Sequence, residues 1–134
     1  MNEAEAKKAL IALWLENADD ALHSAELELN GGHTNFALNR LYYACFYVVT
    51  ALPLKEGKQF TRHSAVKSEF VRSHIQSGHM PAKWSKFYQK LFDDRQRGDY
   101  VARVRFPADD VSARLVEARE FVRLVRGLID RIPG

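Results

Sequence analysis

Residues 34–52 are the segment that most constrains how this chain can fold. Their apolar side chains do not keep to one helical face. The apolar residues of this run are Phe36, Ala37, Leu41, Tyr42, Tyr43, Ala44, Cys45, Phe46, Tyr47, Val48 and Val49. A helix that is apolar around its whole circumference is buried on most of its sides. The pattern therefore predicts a central helix from about Thr34 to Leu52, closed by Pro53, that faces either the core alone or both a core and a dimer partner.

The rest of the chain has the three- and four-residue apolar spacing of amphipathic helices. A first helix is predicted over Glu3–Asn30, where an Asn-Gly-Gly sequence is a strong stop because glycine readily takes the left-handed conformation of a helix end. The remaining predictions are a third helix from Thr61 or His63 to a break at 76–81, a fourth helix that frays around Arg95–Tyr100, and a fifth helix from Pro107.

No segment of the sequence predicts a sheet, and no linker divides it. A length of 134 residues is typical of one domain. The connections between the predicted helices are of ordinary length for helical bundles. These patterns predict an all-α fold, a bundle of about five helices that forms a single domain over residues 1–134.

Composition narrows the classes of function. Twenty Lys and Arg against 17 Asp and Glu give a net charge of +3, which is compatible with an anionic partner. One cysteine, Cys45, excludes an intramolecular disulfide framework. No long apolar run or leader is evident, so a cytoplasmic protein without a membrane segment is expected. The usual zinc motifs and the Gly-rich phosphate loop are missing from the sequence, so no metal and no cofactor are expected.

Arg40 is the first candidate functional residue, because it lies between apolar neighbours in the central helix. An unpaired buried charge is very costly, so this side chain needs a partner. One interpretation is a structural ion pair with a carboxylate of another helix, such as Asp94 or Asp99. The other is an arginine that binds an anion in a cleft.

The stretch from Asp93 to Tyr100 is the second candidate, because charges, a glycine and an aromatic residue crowd together at a helix end. It is interpreted either as a solvated helix terminus with a turn at Gly98, or as a polar site. In the polar site, Arg95 and Arg97 would bind phosphate, since the planar guanidinium holds two oxygens at once. Tyr100 would then stack on a ligand or transfer a proton.

A third candidate is the helix start at Thr61–Ser64. Free backbone N–H groups at a helix start suit an anion, and His63 can donate or accept a proton near neutral pH. The alternative is a capping cluster with an exposed histidine.

These elements resemble a known family. Residues Asn39–Phe46 read NRLYYACF and are similar to the (S/N)-R-x-Y-Y-A-x-F run of small stand-alone HEPN-domain proteins. A Thr-x-His-Ser start at Thr61–Ser64, an R-x-x-x-D-Y element ending at Tyr100 and an A-x-x-F core at Ala118–Phe121 follow in the family's order. The resemblance spans most of the chain, from about residue 18 to residue 129.

The resemblance implies an up-and-down bundle of four to five helices, usually as a homodimer. It implies a ribonuclease toxin of a toxin–antitoxin or defence system, often encoded beside a minimal nucleotidyltransferase that acts as the antitoxin. Active members carry an arginine, usually followed by a polar residue, with a histidine four to six residues further on. Two such motifs meet across the dimer and cleave RNA without a metal.

Here Arg95 and Gln96 fit the start of that motif, but Tyr100 stands where the histidine is expected. A tyrosine, with a reference pKa near 10, is a poorer base at neutral pH. His63 supplies the imidazole that the family histidine would provide, if it folds toward Arg95. The expected catalytic residues are Arg95, Tyr100 and His63, and the expected binding residues are Arg40, Tyr43, Gln96, Arg97 and Asp99.

Three functional hypotheses follow. The first is a toxin-type protein that acts on RNA or nucleotides, with its polar residues in one cleft. The second is a non-catalytic helical binding module or dimer partner of a nucleotidyltransferase, in which the same residues form a structural network. The third is a helical dimer without a small-molecule site, in which the aromatic-rich second helix supplies core and interface.

Overall fold

The structure is a computed structural model that describes residues 2–134. Its helices are α1 (Glu3–Asn30), α2 (Thr34–Lys55), α3 (His63–Phe70), α4 (Lys83–Tyr100) and α5 (Ala108–Arg131), and a π-helical turn at Val71–Ile75 extends α3. No strand occurs within residues 2–134. The predicted all-α fold is confirmed.

Helix α2 is the centre of the bundle, as its composition predicts. It packs against α1, α3, α4 and α5, and buried side chains occupy most of its circumference. Leu41, Tyr42 and Cys45 in its middle are at most 1% exposed. Burying side chains of this size contributes about 1.5–3 kcal/mol each. The other helices are therefore arranged around one apolar axis.

The predicted stop at the end of α1 is confirmed. Gly32 has φ +81°, the left-handed conformation. The N–H of His33 donates to the carbonyl of Glu28 at 2.8 Å, and the N–H of Gly32 donates to that of Leu29 at 3.0 Å. This pair of hydrogen bonds is the Schellman arrangement, which satisfies the last carbonyls of a helix.

The predicted end of α2 at Leu52 is wrong, because the helix continues through Pro53 to Lys55. A proline inside a helix removes one hydrogen bond and crowds the preceding turn. Here Pro53 and Leu54 are buried, and their burial offsets that cost. The chain turns instead at Gly57, where φ is +81°.

The π turn at Val71–Ile75 was not foreseen from the sequence. Its wider hydrogen bonding is visible where the N–H of Gln76 donates to the carbonyl of Val71 at 2.8 Å. The chain then folds back, so that Nδ1 of His74 lies 3.1 Å from Nδ1 of His79. Nε2 of His74 lies 3.2 Å from the Glu56 carboxylate.

The predicted fraying of α4 is also wrong, because α4 stays helical as far as Tyr100. The Asn35 side chain fastens this end to the start of α2. Its Nδ2 donates to the carbonyl of Val104 at 2.7 Å and to that of Gly98 at 3.4 Å, and its Oδ1 accepts from the N–H of Phe106 at 3.1 Å. This clamp holds the last turn of α4 and the loop that follows it against α2.

Candidate functional site

Arg95 on α4 is a basic side chain held inside the bundle. It is 7% exposed. Its guanidinium carbon lies 4.8 Å from the ring centroid of Tyr42, 5.2 Å from that of Phe92 and 5.5 Å from that of Tyr43. A cation over an aromatic face gains about 0.5–2 kcal/mol, and more when water is excluded. The aromatic side chains of α2 and α4 therefore make this buried charge tolerable.

The donors of Arg95 are nearly unused. A guanidinium carries five N–H donors. Among the described residues, the one acceptor bonded to Arg95 is Oδ2 of Asp99, at 3.5 Å from Nη1, and Nε has no hydrogen-bond partner there. Leaving a buried donor unsatisfied costs about 1–3 kcal/mol. This arrangement suits an anion with several oxygens, and phosphate is the group that arginine recognises best.

A chain of polar groups links Arg95 to Arg40 on α2. Nδ2 of Asn39 donates to Oδ2 of Asp99 at 2.9 Å. Oδ1 of Asn39 accepts from Nε of Arg40 at 3.0 Å, and also from its Nη2. The order is therefore Arg95, Asp99, Asn39, Arg40, and the chain joins α4 to α2.

The predicted ion pair of Arg40 with Asp94 or Asp99 is wrong. Within the described part of the chain, Arg40 makes no salt bridge to a carboxylate, and Asp94 pairs with Lys90 at 3.3 Å. The preceding residue, Asn39, occupies the donors of Arg40 instead. Arg40 is only half-buried, so water can solvate its charge and a carboxylate is not required.

Arg40 and Arg95 both lie against the ring of Tyr43. Each guanidinium carbon is 5.5 Å from the Tyr43 centroid. Two guanidinium groups around one half-buried ring, with the single carboxylate of Asp99 beside Arg95, leave a net positive charge that attracts an anion.

His63, the first residue of α3, folds toward Arg95. Its Nδ1 shares a 2.8 Å hydrogen bond with the hydroxyl of Tyr42. Its ring stacks on Phe46 with centroids 4.0 Å apart, and it meets Tyr43 edge-on at 5.9 Å. Arg95 and His63 therefore share contacts with both tyrosines, which we call the tyrosine platform (Tyr42 and Tyr43).

Burial decides the protonation of this cluster. It lowers the pKa of His63 below its ordinary value of 6.5, and the Arg95 charge lowers that pKa further. Burial also raises the pKa of Tyr42 to about 12, although the Arg95 charge opposes the change. The imidazole is therefore neutral at neutral pH and can accept a proton, while the phenol stays protonated.

Three of the expected site residues lie elsewhere. Tyr100 is 77% exposed and lines a cleft at the end of α4 whose lining includes Asp99 but not Arg95. Arg97 lies over the ring of Phe106 at 5.8 Å, and Gln96 is exposed. In a helix of 3.6 residues per turn, these three positions are rotated by about 100–200° from Arg95, whereas Asp99 shares its face.

The sequence prediction omitted three residues that the structure places in the cluster. Asn39 precedes Arg40 and connects it to Asp99. Tyr42 precedes the expected Tyr43 and contacts both Arg95 and His63. Phe92 lies one helical turn before Arg95 and covers it. Spacing was a usable signal for two of them, since Asn39 lies four residues before Tyr43 and Phe92 three before Arg95, and such positions share a helix face. No such spacing marked Tyr42.

Two further observations concern the whole described chain. Among residues 2–134, no group of three or more His, Cys, Asp or Glu side chains has an arrangement that could hold a metal ion. Within the same residues, no helix has both the length and the apolar character that crossing a membrane requires.

Comparisons with known proteins agree with this architecture. The model of the HEPN domain matches residues 11–129, a stretch that includes Arg40, His63 and Arg95. A UPF0332 protein of Thermotoga maritima is 35% identical over 130 residues, which cover 97% of this chain and 96% of that protein. A protein of Methanocaldococcus jannaschii named "Putative toxin MJ0142" is 26% identical over 108 residues, 81% of this chain and 74% of that protein. The chain belongs to the HEPN domain family and, within it, to the UPF0332 proteins.

Proposed function

We propose that this protein is a HEPN toxin that cleaves RNA without a metal ion, with Arg95 and Arg40 binding the phosphate and His63 accepting a proton. The observation that carries the proposal is the tyrosine platform, on which a nearly unpartnered guanidinium and a neutral imidazole meet. Family membership and the toxin name of the M. jannaschii relative also support it.

The chemistry follows from these groups. His63 takes the proton of a ribose 2′-hydroxyl, and the 2′ oxygen attacks the adjacent phosphorus. The guanidinium groups stabilise the charge that develops on the non-bridging oxygens. The 2′ O–P bond forms, the P–O5′ bond breaks, and the 5′ oxygen takes a proton from a water molecule, whose hydroxide is neutralised by the proton that His63 releases. The products are a 2′,3′-cyclic phosphate and a 5′-hydroxyl end.

The proposal extends to partners and place of action. We infer a homodimer and a minimal nucleotidyltransferase as antitoxin, because the resemblance in the order of motifs implies both. A toxin of this kind acts on RNA in the cytoplasm. The net charge of +3 is compatible with such an anionic target.

Incubation of the purified protein with mixed RNA in the presence of a chelator tests the proposal. Arg95→Ala is expected to lose about 100-fold or more in cleavage rate, as removal of one charge-stabilising donor does in other enzymes. His63→Ala is expected to lose a comparable factor, since a general base contributes about 100- to 10,000-fold. Arg97→Ala, two residues from Arg95 on the exposed face of α4, is the matched control and retains wild-type cleavage.

A non-catalytic binding module is the second candidate. The polar chain that ties α2 to α4, and the solvent-facing Tyr100 at the place of the family histidine, favour it. It predicts RNA binding that depends on Arg95 without cleavage by the folded protein. Cleavage that survives in Arg95→Ala would contradict the ribonuclease proposal, and binding without cleavage would select the module.

A further inference from the structure

We infer that the cleft between the start of α2 and the end of α4, here called the end cleft, binds a base of the same RNA strand whose phosphate lies at Arg95. The inference rests on the proposed function, because it names the neighbouring subsite of that strand. Its test separates contacts to bases from contacts to phosphates, so the two ideas can fail independently.

The end cleft has the size of a small-ligand site. Its volume is about 610 Å³, within the roughly 300–1,000 Å³ of typical ligand pockets. The residues that line it are Gly32, His33, Thr34, Asn35, Phe36, Gly98, Asp99, Tyr100 and Arg105. This mixture of aromatic, polar and charged groups suits a planar polar ring better than a purely apolar partner.

Two aromatic rings of the end cleft are exposed to water. Phe36 is 66% exposed and Tyr100 is 77% exposed. Leaving rings of this size in water forgoes the free energy of apolar burial. Proteins that bind single-stranded nucleic acid use such rings as stacking platforms, because every base has a π face.

The walls of the end cleft are held in place before any ligand arrives. The three hydrogen bonds of Asn35 fix the last turn of α4 and the loop that follows it, as far as Phe106, against α2. The packing here is already close, since a Cβ at Gly98 would be in van der Waals contact with the Phe106 ring at 3.4 Å and with Cγ of Asn35 at 3.5 Å. A preformed site loses less conformational entropy on binding.

The end cleft is continuous with the phosphate site through Asp99. This residue lines the cleft, and its carboxylate binds Arg95 and Asn39. Tyr100 follows Arg95 by five residues, which is a rise of about 7.5 Å along the helix and a rotation of about 140° around it. A strand that passes over Asp99, which lies between the two, would contact Arg95 with a phosphate and Tyr100 with a neighbouring base. Arg105 at the cleft adds a positive charge for the backbone of that strand.

Fluorescence anisotropy with two labelled probes tests the inference. One probe is a short single-stranded 2′-O-methyl oligoribonucleotide, which cannot be cleaved, and the other is an abasic strand of the same length. Wild-type protein is expected to prefer the probe with bases, since stacking on each ring contributes about 5- to 150-fold in affinity. The Phe36→Ala/Tyr100→Ala variant is expected to lose this preference.

Three control variants show which side chains cause the preference for the probe with bases. Tyr100→Phe keeps the ring and is expected to keep the preference. Val116→Ala removes a side chain that is 67% exposed on α5, and it is expected to bind as wild type does. Arg95→Ala is expected to weaken both probes by the same factor, because it acts on phosphate.

The inference is overturned if wild-type protein binds both probes equally, or if the double variant keeps the preference. It is also overturned if sedimentation shows that the double variant changes the oligomeric state while RNA binding is unchanged. That result would assign the rings to a contact between two copies of this chain. Unchanged binding of both probes by Arg95→Ala would instead contradict the phosphate site, but it would not contradict the base subsite.

Discussion

Glu69 on α3 and Arg95 on α4 are both less than a tenth exposed, yet their surroundings differ. Oε1 of Glu69 accepts hydrogen bonds from Lys58 at 3.1 Å and from Ser73 at 2.8 Å, and its Oε2 pairs with Arg72. Arg95 has one long hydrogen bond to Asp99 within residues 2–134. A buried charge whose hydrogen-bonding groups are satisfied stabilises the fold, whereas one with free donors is suited to a ligand.

Glu69→Gln is the substitution expected to have the largest effect on stability. It keeps the shape of the side chain but removes the charge that accepts from Lys58 and Arg72. Hydrogen bonds to charged groups contribute about 1.5–3 kcal/mol each, so we expect the free energy of unfolding to fall by about 2–4 kcal/mol. Urea denaturation measures this.

Glu117→Gln is the matched control for Glu69→Gln. Glu117 pairs with Arg114 at 2.9 Å, but its side chain is 39% exposed. Exposed pairs contribute about 0–1 kcal/mol, so the control should change stability by no more than that. If the two variants lost equal stability, the buried and fully hydrogen-bonded carboxylate of Glu69 would contribute no more than the exposed one of Glu117.

Arg95→Met is expected to change stability much less, by about 1 kcal/mol in either direction. Replacing a buried charge with an apolar side chain of similar length is often neutral or stabilising, and the rings of Tyr42, Tyr43 and Phe92 can pack against the thioether. RNA binding should nevertheless weaken, as it does in Arg95→Ala. A loss of stability as large as that of Glu69→Gln would show that Arg95 is mainly structural.

The smallest expected effect is a change in stability with pH, caused by two histidines. Burial lowers the pKa of His63 and of His74 below 6.5, the latter although Glu56 and Glu69 favour its charged form. The unfolded chain therefore binds protons that the folded chain does not, and stability falls as the pH drops below about 6.5. Urea midpoints at about pH 7.5 and about pH 5.5 test this around that reference value.

His74→Asn should flatten part of this pH dependence, because it removes one of the two imidazoles whose pKa is lowered. His23→Asn on the exposed face of α1 is the control, and it should leave the slope unchanged. A midpoint that rises or stays constant as the pH falls would contradict the sign derived from burial.

The fold could be predicted from the sequence wherever the deciding signal is local. Gly32 ends α1 through its own left-handed backbone conformation. Pro53 misled the prediction because the apolar residues around it gain more from burial than the helix loses. The end of α4 depends on Asn35, which is 63 residues away from Gly98 along the chain, and no local pattern contains that contact.

The candidate site could be predicted in part for the same reason. Arg40, Tyr43, His63, Arg95 and Asp99 were expected from residue type and order, and the structure brings these five together. Their grouping depends on how α2, α3 and α4 pack, which a sequence pattern does not give. The rotation of Gln96, Arg97 and Tyr100 away from Arg95 follows once α4 is known to be regular to its end.

The reactivity of the Cys45 thiol reports how often this protein unfolds. Cys45 is fully buried in the middle of α2, and burial raises the pKa of its thiol, so an alkylating reagent finds no thiolate in the folded state. As the single cysteine of the chain, it reacts only when the central helix separates from its neighbours. The rate of its modification therefore measures how often the whole bundle opens, without any added label.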